Sequence, residues 1–173
     1  MNISSNPWSF TSSDVLTATI AASPTGLVSS AGGIVALTTS AAHGLSTTVQ
    51  QWVTLIGTSP VTYIGFYKVL AVPTTTTATL YSDALRYSQT VLAAGGGGTM
   101  ILNQYNNTIS GQDMSWLNAN AANDQVIVYD KNGNLVWNSI APTKGTYSRA
   151  KPHWFNGLSI SQISSGTLMV SVD

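Results

Sequence analysis

Cysteine is absent from this 173-residue chain, and so is glutamate. Without cysteine there are no disulfides and no thiolate metal ligands, and the redox compartment is left open. Charge of either sign is scarce: six acidic residues, all aspartate, stand against six basic ones, for a formal net charge of zero. That balance lacks the cationic footprint that nucleic-acid binding needs. No apolar run reaches the roughly 20 residues of a membrane-spanning helix. Neither nucleic acid nor membrane is therefore an expected partner. The opening MNISSNPWSF has no basic n-region and no apolar h-region, so no secretory signal is expected there.

What remains is rich in Thr, Ser, Val and Gly. With no Glu to favour helices, such a chain is biased to strands. Only 7% of it is charged, and a surface so poor in charge promotes association. The composition points to a protein packed against others, itself included.

The most informative stretch runs from His43 to Tyr81. A His-Gly-Leu turn precedes a strand, a Gly-Thr-Ser-Pro turn, an aromatic strand over Tyr63 to Val72, a Pro-Thr turn and a last short strand. Three short strands joined by turns read as an antiparallel meander able to curl into a small barrel. The residues that define it are His43, Gly44, Leu45, Val53, Leu55, Gly57, Tyr63, Gly65, Tyr67, Val69, Pro73 and the Thr run 74–77. In that order they resemble a module of tailed-bacteriophage virion proteins, except that Thr48-Val49 replaces the Gly-Asp usual after the turn.

Upstream, Trp8 and Phe10 sit in a polar arm, Leu16 to Ile20 is a possible strand, Ser23 to Gly26 a turn and Ile34 to Thr38 a further strand. Between Ser82 and Ala94 the pattern is mixed: Asp83 suits the cap of a short helix holding Leu85, Arg86, Gln89 and Leu92, whereas Thr90-Val91 favours strand. Gly95 to Gly98 follows. Four glycines in a row are costly to order and read as a linker. No Gly-Lys-Ser/Thr ending makes them a phosphate loop.

Beyond the glycines, Met100 to Tyr105 is a strand, and Met114 to Leu117 precedes an Asn/Ala-rich loop. Gln125 to Tyr129 and Asn134 to Trp137 form a hairpin across Asp130-Lys131-Asn132-Gly133, where Asn-Gly supplies the positive φ angles of a tight turn. A turn and strand run from Lys151 to Ile160, and Thr167 to Val172 alternates as a final strand. An antiparallel sandwich fits. Tyr129, Asp130, Gly133, Leu135, Pro142, Phe155, Asn156, Gly157, Leu158, Ser165, Gly166, Thr167, Val170 and Val172 are similar in order to small β-sandwich modules of phage capsid surfaces and tails. Together the two resemblances span about two-thirds of the chain.

The expected fold is all-β, with two small antiparallel units. Residues 1–94 form an arm plus a small curled barrel, 95–98 a glycine linker, and 99–173 a β-sandwich.

Catalytic chemistry finds little footing. There is no Gly-x-Ser-x-Gly elbow. His43 lies in a turn where its ring can bond the backbone, and His153 lies in a turn beside Trp154. Asp130-x-Asn132-x-Asn134 echoes a calcium loop, but Gly133 comes too early and no Glu follows, so a hairpin accounts for it. No enzyme, cofactor or metal is expected. The candidate interaction residues are Trp8, Phe10, Trp116 and Trp154, with the arm expected to reach a neighbouring subunit or to fold back over its own barrel.

The resemblances imply a virion structural protein. As a capsid decoration, or cement, protein it would bind the major capsid protein as a homo-oligomer; the three-fold sites of a shell suggest a trimer. Both modules also occur in tails, so an adaptor, baseplate or small receptor-binding component is the alternative. The five Trp and seven Tyr also allow a carbohydrate-binding module.

Overall fold

A computed structural model of the chain describes residues 8–109, 114–149 and 155–170. In chain order the strands are β1 (Trp8–Phe10), β2 (Thr17–Thr19), β3 (Leu27–Ser30), β4 (Ile34–Thr38), β5 (Trp52–Ile56), β6 (Gly65–Ala71) and β7 (Thr77–Tyr81), then the helix α1 (Asp83–Ser88). They continue with β8 (Thr99–Ile109), β9 (Met114–Ala119), β10 (Gln125–Tyr129), β11 (Leu135–Ile140), β12 (Gly145–Arg149), β13 (Phe155–Ile163) and β14 (Thr167–Val170). The protein is all-β, and its strand pairs are antiparallel.

The chain divides into two compact units. One comprises Leu16–Asn103 with Lys131–Gly133; the other comprises the residues up to Val15, Gln104–Asp130 and Asn134 onwards. The strand β8 is thus shared, residues 99–103 belonging to the first and 104–109 to the second.

In the first unit the strands follow the order β8-β5-β6-β7-β4-β3, with β2 also paired to β8. Alternation explains the core. Val53 and Leu55 of β5, Tyr67 and Val69 of β6, Ala78 and Leu80 of β7, and Val35 and Leu37 of β4 all turn inward and are buried. Ile20 bridges to Thr39, so the sheet curls, but among the described residues it is not a closed barrel. The helix α1 is shorter than the sequence pattern suggests. Ser82, not Asp83, caps it: its backbone is extended and its Oγ accepts from Leu85 N at 3.4 Å. Gln89 ends it in the left-handed region, and Leu92 packs on the core from beyond the helix.

The glycine run is not a linker. Gly95 exchanges both backbone hydrogen bonds with Leu27, at 2.9 and 2.8 Å, and Gly96 does so with Ser59, at 3.1 and 2.9 Å. Gly97 N donates to Ala21 O at 2.9 Å, and Gly98 O accepts from Ile20 N at 3.0 Å. A Cβ on Gly95 would stand 2.6 Å from Ser59 O, and one on Gly96 would stand 2.6 Å from Ala22 C. Glycine is present because other stretches of backbone approach too closely for any side chain.

The second unit is a sandwich. One sheet has the order β1-β14-β9-β12; the other is β11-β10-β13 with the second half of β8. Met114, Trp116 and Ala119 of β9 with Leu168 and Val170 of β14 supply one inner face. Val126 and Val128 of β10 with Leu158, Ile160 and Ile163 of β13 supply the other. Burial alternates along Gln125–Tyr129 and along Thr167–Val170, the second as the sequence pattern expects, and this sets these faces. At the hairpin after β10, Asp130 accepts from Asn134 N and Asn134 Nδ2, both at 2.8 Å, and Asp130 N donates to Asn134 O at 2.9 Å.

The expected N-terminal arm is corrected in the same unit. Trp8 pairs with Val170, Ser9 with Met169 and Phe10 with Leu168. The segment is an edge strand of its own chain's sandwich rather than an appendage of the barrel-like unit. Its aromatic residues pack on the sandwich core, which offsets the entropy of ordering a terminus.

Candidate functional site

Three of the four residues expected to make interactions pack in or against the sandwich core of their own chain. Trp116 is fully buried, its Nε1 donates to Ser165 O at 2.7 Å, and its ring lies 5.6 Å from that of Tyr147. It takes the inward position of β9 beside Met114, so it has no face to offer a partner. Trp8 is half-buried with its ring centroid 4.5 Å from that of Tyr105, and Phe10 is half-buried against the same core. Trp154 and His153 lie outside the described residues.

His43 is buried and engaged at both nitrogens. Leu45 N donates to Nδ1 at 3.1 Å, and Nε2 faces Thr77 O at 3.2 Å. One tautomer satisfies both, with the proton on Nε2. Tyr67 donates to Tyr63 O and Tyr63 donates to Ala93 O, each at 3.0 Å. Burial raises the Tyr67 phenol above its ordinary range, with Tyr63 adding to the effect, and burial likewise raises Tyr63. These groups build the fold. Among the described residues no cluster of three His, Cys, Asp or Glu side chains suits a metal ion.

The site that stands out was not among the sequence candidates. It is a cavity of about 390 Å³ on the outer face of β5, β6 and β7, closed on one side by the start of α1. Register assembles it. Trp52 pairs with Lys68 and Lys68 with Tyr81, so three neighbouring strands present Trp, Lys and Tyr in one row. Phe66, two residues before Lys68, shares that face. All four are half-buried, while Val53, Tyr67 and Leu80 between them point into the core.

Polar groups ring the aromatic residues. Tyr81 donates its hydroxyl hydrogen to Asp83 Oδ1 at 2.8 Å and accepts from Arg86 Nη1 at 3.1 Å. This fixes the Tyr81 ring and, through that hydrogen bond first, favours the charged guanidinium of Arg86. Lys131 Nζ lies 5.3 Å from the Phe66 ring centroid, within cation–π range. Thr54 Oγ1 donates to Lys131 O at 3.3 Å, and Asn132 completes the lining. Among the described residues the Lys68 side chain has no hydrogen bond or ion pair. The arrangement suits binding: flat apolar rings, a lysine on the strand position between two of them, and polar groups at the rim.

Comparison with known proteins finds no matching family model, curated protein or solved structure.

Proposed function

We propose that this chain is a non-enzymatic structural protein of a tailed-phage virion, working as a capsid decoration protein that binds the shell as a homo-oligomer. The observation that carries the reading is the role of the residues behind the first resemblance. His43 ties Leu45 to Thr77, Tyr63 and Tyr67 are linked by a hydrogen bond in the core, and Gly44 and Gly57 take positive φ angles of 68° and 63°. The motif thus consists of residues that shape a module, as a structural protein's signature should. A charge-poor surface that leaves Val49, Val61, Tyr87 and Leu135 largely exposed favours association in the same direction.

The test is addition of the purified protein to empty shells assembled without it. Decoration predicts saturable binding and a higher shell melting temperature; shells that neither bind it nor gain stability contradict the reading.

A second reading, a tail adaptor, baseplate or receptor-binding component, is favoured by the aromatic cavity of the first unit. A surface pocket lined by Trp, Phe, Tyr and Lys is more than a cement function requires.

A further inference from the structure

We infer that the cavity on β5, β6 and β7 is a binding site for an acidic saccharide, with Trp52 and Tyr81 as stacking platforms and Lys68 as the partner of the sugar's carboxylate. This reading does not depend on where in a particle the protein sits.

Three features lead to it. The first is shape: about 390 Å³ admits one or two pyranose rings. The second is the row Trp52–Lys68–Tyr81, fixed by strand register rather than by flexible loops. The C–H face of a pyranose packs on an aromatic ring, and the adjoining amide and carboxylate groups of Asn132 and Asp83 can bond its hydroxyls. Tyr81 is already held by Asp83 and Arg86, so little ordering is left for the ligand to drive.

The third feature is charge, which selects among sugars. Lys68, Lys131 and Arg86 gather at or beside this cavity, half of the six basic residues in the chain, whereas Asp83 is one of only six acids. Lys68, which the register places between Trp52 and Tyr81, has no side-chain ion pair among the described residues. A half-buried cation without a carboxylate partner favours an anionic ligand, and a charge-assisted bond there outweighs a neutral one.

The test uses the full chain labelled with ¹⁵N and titrated with a hyaluronan tetrasaccharide, a neutral chitotetraose, and sulfate at matched ionic strength. The inference predicts saturable shifts centred on Trp52, Phe66, Lys68 and Tyr81 with the acidic sugar, about tenfold tighter than with the neutral one. Lys68→Met keeps the aliphatic stem and removes the charge; it should abolish that preference while leaving the melting temperature unchanged. Trp52→Ala should abolish binding of both sugars. Should Trp52→Ala fail to fold, Lys68→Met decides alone. Equal affinity for the two sugars overturns the acidic assignment. Sulfate reproducing the same shifts and competing fully would mean a bare anion site, and shifts absent or centred elsewhere would mean no site at all.

Discussion

The backbone N–H of Leu45 donates to Nδ1 of His43 at 3.1 Å, two residues back along the chain, while Nε2 of the same ring faces Thr77 O at 3.2 Å. A buried imidazole thus joins its own turn to the start of β7. His43→Ala leaves a buried donor and a buried acceptor without partners and opens a cavity. It should cost about 2–4 kcal/mol in urea denaturation. Long-range ¹H–¹⁵N spectra should show the proton on Nε2. A proton on Nδ1, or a loss below about 0.5 kcal/mol, contradicts this role.

The glycine run gives a second expectation. Gly96→Ala forces a Cβ into the backbone around Ala21 and Ala22. Destabilisation of about 2–4 kcal/mol should follow, visible as a lower melting temperature. A true linker would tolerate the change or gain slightly from it.

The N-terminal strand can be tested by truncating its ring. Trp8→Ala removes the contact with Tyr105 and uncovers part of the sandwich core. About 1–3 kcal/mol should be lost, together with near-ultraviolet dichroism from the tilted pair. Unchanged stability would mean that β1 does not hold in solution.

Much of this architecture was legible in the chain, and the reasons are local. Ile34 to Thr38 and Gln125 to Tyr129 are short apolar runs rich in β-branched residues, and both are strands over those residues. Leu27–Ser30 is a four-residue edge strand whose pairing partner, not its composition, makes it extended. The glycines misled because their need is set by Ala21, Leu27, Ile56 and Ser59, which are distant in sequence. The cavity was hidden for the same reason. Trp52, Lys68 and Tyr81 become neighbours only once the register of β5, β6 and β7 is known. The inward position of Trp116 was available from its spacing with Met114, a signal outweighed by its chemistry as an interface residue.

Acid should weaken the loop before β10. The Ser165 hydroxyl foremost, then the backbone N–H groups of Ala121 and Asn120, hold the Asp124 carboxyl below the ordinary carboxylate range. A depressed folded pKa contributes stability above the unfolded value, about 3.9 for Asp, and loses it as pH falls through the folded value. The stability gap between wild type and Ser165→Ala should therefore be full at pH 6 and shrink toward pH 3 in denaturant titrations. A gap independent of pH would show that Asp124 takes no part.

The central claim, that this protein coats the shell of a tailed phage, is tested most directly by its copy number in purified particles, counted by quantitative mass spectrometry against the major capsid protein. Decoration of repeated shell sites predicts on the order of hundreds of copies. About a dozen or fewer, the count of a symmetric tail ring, would contradict it.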